Sequence, residues 1–292
     1  MFDPFAKPIC CEPFAGSISF PPMPTALTVP TMAQMAASGE KPDILFWVGC
    51  AGSFDQRAQR VTGALVRILD KAGIRFAILG QEEACTGDPA RRAGNEFLFQ
   101  MMAMQNIATL DGYEVKKIVT ACPHCFNTLK NEYPQLGGQY DVVHHTTLIQ
   151  ELLDSGKISV SGGAYQGKRI TFHDSCYLGR ANGIYEAPRK AIEALDADLQ
   201  EMKSCKSRGM CCGAGGAQMF KEAEPGDREV NHARTEEALA TQPDVVAVSC
   251  PFCNTMMNDG VKMADAAEKT QVKDIAELIA EAAGLFGTEA AG

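Results

Sequence analysis

Short apolar runs alternate along this chain with longer stretches of helical period. Asp43-Ile44-Leu45-Phe46-Trp47-Val48 is a compact apolar run suited to a buried strand, and it ends at Gly49-Cys50. Val61, Leu65, Ile68, Leu69 and Ala72 then recur at helical spacing until Gly73 stops them. A strand over 74–79 leads to a loop with Cys85, and residues 90–110 read as one long helix. A buried strand over 115–120 delivers Cys122-Pro123-His124-Cys125, and a strand over 140–143 with a helix over 147–153 closes this half.

The second half repeats the order. A strand over Arg169–Phe172 runs into Cys176, a helix covers about 186–195, and the Cys211-Cys212 loop precedes a helical stretch near 229–240. A strand over Val245–Val248 then delivers Cys250-Pro251-Phe252-Cys253. Cys50 maps to Cys176 and Cys85 to Cys211 by 126 residues, and Cys122 to Cys250 and Cys125 to Cys253 by 128. Glu151-Leu152-Leu153 likewise answers Glu277-Leu278-Ile279. Such agreement marks a duplicated unit. Strand–helix alternation predicts an α/β fold, two repeats with mainly parallel sheets paired about a pseudo-twofold axis. The expected boundaries are a Pro-rich extended arm over 1–40, a first repeat over 41–155, a linker over 156–167 and a second repeat over 168–285.

Composition narrows the function. Among 292 residues, 46% are hydrophobic and 22% charged, as in a packed globular protein. The net charge of −9 and the lack of a basic stripe argue against nucleic acid as a partner. No apolar run reaches the roughly 18–20 residues that span a bilayer. No signal peptide is visible at Met1-Phe2-Asp3-Pro4, so the 12 cysteines are expected in a reducing cytoplasm, kept as thiolates for metals or redox chemistry.

The cysteines sit at predicted strand ends, where an open α/β sheet binds its ligands. Four thiols suit one tetrahedral zinc or one cubane cluster. The second half offers five: Cys176, Cys211, Cys212, Cys250 and Cys253. That surplus points to an iron–sulfur centre less regular than a cubane. Gly213, Gly215 and Gly216 let the backbone come close, and their N–H groups, expected at a helix start, would favour an anionic group. Neither a dinucleotide fingerprint nor a P-loop is present here. The first half has Cys50, Cys85, Cys122 and Cys125, with Cys85-Thr86-Gly87 where the second has Cys211-Cys212-Gly213. A cubane 4Fe–4S cluster, a less regular cluster using another ligand such as Asp88, structural zinc, or no metal at all are open for it, and Asp88 equally suits a helix N-cap.

The motif Cys176…Cys211-Cys212-Gly213…Cys250-x-x-Cys253, over residues ~40–285 in two copies, resembles the cysteine-rich CCG domain. That domain is found in heterodisulfide reductase subunits and in iron–sulfur subunits of quinone-linked oxidation systems. The resemblance implies Rossmann-like repeats, a noncubane 4Fe–4S cluster on the five second-repeat cysteines, and a role as an electron-transfer or catalytic subunit of a multi-subunit oxidoreductase. It also implies partners: a ferredoxin-type iron–sulfur subunit and a flavoprotein or quinone-linked membrane subunit. The chain would then lie in the cytoplasm and meet a membrane only through those partners. The alternative is a zinc-stabilised structural or docking subunit without redox work.

Other residues carry weaker signals. His173 is the one catalytic candidate, as a proton shuttle or a hydrogen-bond donor to a cluster sulfide. His124 is placed by its motif. His144-His145 suit capping or surface roles, with metal ligation as the alternative. Arg91, Arg92 and Arg180 would balance cluster charge. Cys205 and the pair Cys10-Cys11 lie outside the motif and read as bystanders.

Overall fold

The computed structural model describes residues 28–160, 163–222 and 225–286. In the first repeat the elements are α1 (Met32–Ser38), β1 (Ile44–Trp47), α2 (Gly49–Phe54), α3 (Gln56–Lys71), β2 (Phe76–Ala77), α4 (Asp88–Arg92), α5 (Glu96–Gly112), β3 (Lys117–Thr120), α6 (Pro123–Asn127), β4 (Asp141–His144) and α7 (His145–Asp154). In the second they are β5 (Arg169–Phe172), α8 (Glu186–Glu193), β6 (Asp198–Leu199), α9 (Val230–Leu239), β7 (Val245–Val248), α10 (Pro251–Met263), β8 (Gln271–Asp274) and α11 (Ile275–Ala282).

The strands form two four-stranded sheets, ordered β2-β1-β3-β4 and β6-β5-β7-β8, and every pairing is parallel. The orders are the same element for element, so the chain is a duplicated Rossmann-like α/β protein. Parallel strands need crossovers that cover both faces, which is why β1 and β7 read as unbroken apolar runs. Alternation along β1 sends Ile44 and Phe46 into one core and Leu45 and Trp47 into another. The first of these cores is shared. Leu65 and Ile68 of α3, Ile149 of α7, Ile192 of α8 and Leu278 of α11 meet there between the sheets. Helix α3 packs on α11 and α7 on α8, an exchange of equivalent helices that gives the pseudo-twofold pairing. Arg57 on α3 clamps Glu277 on α11 through two bonds of 2.6 Å.

Several local expectations need correction. Residues 90–110 are two helices, because Gly94 at φ 87° turns the chain and Asn95 caps α5 through the Leu98 N–H. The described part of the arm is not all extended: Thr31 and Gln34 form a capping box that starts α1, which buries Met32 and Met35. The 156–167 stretch is more than a spacer, since Ile158 and Tyr165 enter the shared core. The residues after Cys212 begin no α-helix; they turn into a short 3-10 segment, Gln218–Phe220, and α9 starts at Val230. Cys10 and Cys11 lie outside the described residues.

Candidate metal centre

In both sheets the strand order reverses between the first and third strands of the repeat, the switch point where open α/β folds bind ligands beyond the carboxyl ends. Cys50 lies in the first turn of α2, just past β1, and Cys122 caps α6, just past β3. Cys176 and Cys250 hold the matching places past β5 and β7. Pro123 and Pro251 open their helices at positions where no N–H is needed, and this carries Cys125 and Cys253 back towards the sheet edge. All the thiols of both sets are partly or fully buried, and none is in a disulfide.

The second set converges. The Cys211 thiol contacts Cys176 and Cys212, and Cys212 in turn contacts Cys253. Those two contacts and the Gly213 N–H, 3.3 Å from the Cys211 sulfur, hold Cys211 far below the usual thiol range. Cys212 is pushed up to about 12, mainly by its negative neighbour Cys211. Several buried thiols that cannot all ionise unaided are what a metal site looks like before its metal takes the place of the protons. In the first set Cys50 contacts Cys85, and the Gly87 N–H stands 3.4 Å from the Cys85 sulfur. Gly87 and Gly213 both have positive φ, 87° and 93°, so the same left-handed turn follows each loop cysteine.

Thr86 occupies the place of Cys212. Its hydroxyl points at the Cys125 sulfur at 3.9 Å, as the Cys212 thiol meets Cys253. Asp88 does not turn to the thiols. It is the first residue of α4 rather than its N-cap, and its carboxylate holds His124 Nδ1 at 2.9 Å and Arg92 Nε at 3.0 Å. Burial opposes the charged form, but His124 and Arg92 outweigh it and keep Asp88 below the ordinary carboxylate range. Glu83 accepts the Val48 and Gly49 N–H groups at the start of α2, and burial raises it to about 7.

The two sets are neighbours. Cys122 contacts Cys250 as well as Cys125. His124 stacks on Tyr177 with centroids 4.2 Å apart and meets Phe252 edge-on at 5.3 Å. Asn182 bonds Asn127 and Asn131 across the same seam.

His173 is fully buried past β5, and one of its ring nitrogens lies within 4.8 Å of the Cys212 and Cys253 sulfurs. Burial and the Arg234 guanidinium lower it to about 3, so the ring is neutral. Arg234 is itself fully buried and is held by Glu237 and the Ser204 carbonyl. The other sequence candidates sit elsewhere. His144 and His145 are buried, not on the surface; His144 caps α7, and His145 pairs with Asp274 of the other repeat at 2.9 Å. Arg91 and Arg92 serve Glu132, and Arg180 donates to the Gly209 carbonyl. Cys205 lies by Glu201, Arg189 and Asp174, apart from the five thiols. Sequence reasoning singled out Thr86 as the stand-in for Cys212 but missed Trp47, Arg234 and Tyr177. Carrying the 126-residue offset beyond the cysteines pairs Trp47 with His173 and Thr86 with Cys212.

A duplicated α/β chain with a cysteine cluster at each switch point is a metal–sulfur protein in its architecture. The cysteine-rich domain named CCG matches residues 44–130 and again 170–258, and the chain belongs to that family. It is 45% identical over 254 residues to the probable iron-sulfur-binding oxidoreductase FadF of Bacillus subtilis, covering 87% of this chain and 36% of that protein. Its identity to EtfAB:quinone oxidoreductase of Syntrophomonas wolfei is also 45%, over 82% of this chain and 34% of that protein. A dihydromethanophenazine:CoB–CoM heterodisulfide reductase subunit of Methanosarcina barkeri is 36% identical, over 84% of this chain and 60% of that one. The chain thus spans about a third of the first two relatives. Among the described residues no helix is long and apolar enough to cross a membrane.

Proposed function

We propose that this chain is the cluster-bearing electron-transfer or catalytic part of an oxidoreductase. Cys176, Cys211, Cys212, Cys250 and Cys253 hold a noncubane 4Fe–4S cluster. Cys50, Cys85, Cys122 and Cys125 hold a four-thiolate centre, a cubane 4Fe–4S cluster. The observation that carries the reading is the convergence of five thiols, linked through Cys211, Cys212 and Cys253, at a sheet switch point. The names of the relatives support the iron–sulfur assignment and the oxidoreductase class. Such a group, when bound, accepts and passes electrons. The chain's own residues supply thiolates, keep water from Cys212, Cys250 and Cys253, and direct the Gly213 N–H at the Cys211 sulfur.

Zinc is the second reading for the first site alone. Four thiols are its ordinary complement, and Thr86 leaves that site with four. For electron partners we infer a ferredoxin-type iron–sulfur subunit or module and a flavoprotein or quinone-linked membrane subunit. The chain then works at the cytoplasmic side and meets the membrane through them. Anaerobically purified protein is expected to be brown and to carry iron and acid-labile sulfide, with a paramagnetic signal that Cys212→Ala alters. A colourless protein binding zinc in both halves after iron–sulfur reconstitution overturns the redox reading.

A further inference from the structure

Trp47 Nε1 and His173 Nε2 are buried ring nitrogens without a hydrogen-bond partner, as are His144 Nε2 and His145 Nδ1, and the first two stand at the same place in the two repeats. In the second it is His173. Arg234 donates its Nε–H to His173 Nδ1 at 3.0 Å. A guanidinium carries no acceptor, so Nδ1 must present its lone pair and the ring proton sits on Nε2. That Nε2 is buried and finds no hydrogen-bond partner. A protonated Nε2 is not a metal ligand, so the closeness of His173 to Cys212 and Cys253 is not ligation. In the first repeat the equivalent residue, 126 positions earlier, is Trp47. It is fully buried, shares a core with Cys122 and Cys125, and its indole Nε1 also lacks a partner. An orphaned buried donor destabilises a fold. Two of them at matching positions, beside two sets of thiolates, point to an acceptor supplied with the metal.

We propose that His173 and Trp47 are hydrogen-bond donors to sulfur atoms of the metal–sulfur centre in their own repeat. Arg234 acts as the positioning residue that fixes the donating tautomer of His173. This rests on the iron–sulfur reading above. The acceptor is a bridging sulfide or a ligating thiolate. A donor to such a sulfur favours the more negative, reduced state of the centre, so it raises the reduction potential. Arg234, a buried cation one residue removed, acts in the same direction.

The test uses the whole chain, reconstituted with iron and sulfide under anaerobic conditions and titrated with the paramagnetic signal as readout. His173→Phe should keep its iron and sulfide and move the second centre to a lower potential. His173→Gln, which retains a side-chain N–H, should stay nearer the parent. Trp47→Phe removes the indole donor along with some buried volume and should lower the first centre instead. In deuterated buffer the parent should show an exchangeable hydrogen coupled to the second centre, and His173→Phe should lose it. Nitrogen NMR of the metal-free chain should show His173 as the Nε2–H tautomer, with Arg234→Gln mixing the two. Loaded variants whose potentials and couplings match the parent overturn the inference and leave the iron–sulfur reading standing. A parent chain that takes up only zinc overturns both.

Discussion

Cys212→Thr turns the second site into a copy of the first, and the fold already shows what that costs. Thr86 is 1% exposed and Cys212 3%, so both positions are tightly enclosed. A buried hydroxyl without a partner would cost about 1–3 kcal/mol. Thr86 avoids this by directing its hydroxyl at the Cys125 sulfur, and Cys253 stands ready to play the same part for residue 212. What remains is one extra methyl group in a packed loop, about 1 kcal/mol. For a domain of this size that is a fall of roughly 2–4 °C in Tm. The loss of the fifth thiolate is of another kind, because it changes the ligand count of the centre. We expect a folded, brown variant whose second centre has a changed paramagnetic signal and a shifted potential. Cys205→Ser is the control and should leave both unchanged. Calorimetry together with anaerobic spectroscopy reads both effects. Equal spectroscopic effects at 212 and 205 refute the assignment of the fifth ligand. A Cys212→Thr chain that does not fold refutes the equivalence with Thr86.

Two further outcomes follow from the packing. Trp47 is the one tryptophan of the chain and shares a core with Cys122 and Cys125. Its fluorescence should be strongly quenched when the first site holds an iron–sulfur cluster and nearly unchanged when it holds zinc, so a titration with each distinguishes the two fillings. Arg57→Met removes the clamp on Glu277 and leaves that carboxylate buried. Breaking a fully buried pair costs about 3–5 kcal/mol, and Arg57 is partly exposed, so about 2 kcal/mol is expected. That is a fall of roughly 4–8 °C in thermal unfolding, and a change below 1 °C shows that the repeats do not depend on this contact.

The parts of the fold that were legible in the sequence are those governed by short-range pattern. Strand β7 could be read to the residue because a parallel strand buried on both faces is a plain apolar run. The repeat was legible because its cysteines hold the same places past the same strands in both sheets. Strand β2 lies inside the longer strand read over 74–79, and β6 was not read at all, because two-residue edges carry too little text to show a period. Helix α1 was hidden because its seven residues sit in Pro-rich surroundings and only the Thr31–Gln34 box announces it. The site's second layer was not legible for a different reason. His124 on Tyr177, Arg234 on His173 and Thr86 on Cys125 are contacts between residues far apart in the chain, made only when two sheet edges and two repeats close. Asp88 illustrates the limit: the residue type suited either a ligand or a cap, and its place between Arg92 and His124 belongs to neither.

The repeats share a backbone, and three of the matched positions at which they differ bear on the charge of the two sites. Trp47 answers His173, Thr86 answers Cys212, and Asn106 answers Arg234 at the 128-residue offset of the later cysteines. Asn106 and Arg234 are both buried, so a neutral amide in one repeat stands where the other buries a guanidinium. A fifth thiolate adds a negative charge to an enclosed site, and a buried charge is tolerated only with a partner. Arg234 is ion-paired with Glu237 and reaches that site only through His173, and on the reading proposed above its guanidinium offsets part of the added charge. The converse substitution tests this. Thr86→Cys gives the first repeat its Cys-Cys-Gly sequence without a matching cation. Its Asn106 is committed to the Cys85 carbonyl and the Tyr133 hydroxyl. The added thiol should therefore join the first centre and change its spectrum towards that of the second, while the potential of that centre stays below the second's because no guanidinium offsets the extra charge. Redox titration of the reconstituted variant decides it. A first centre that reaches the second's potential with Thr86→Cys alone shows that Arg234 contributes nothing to the difference between the repeats.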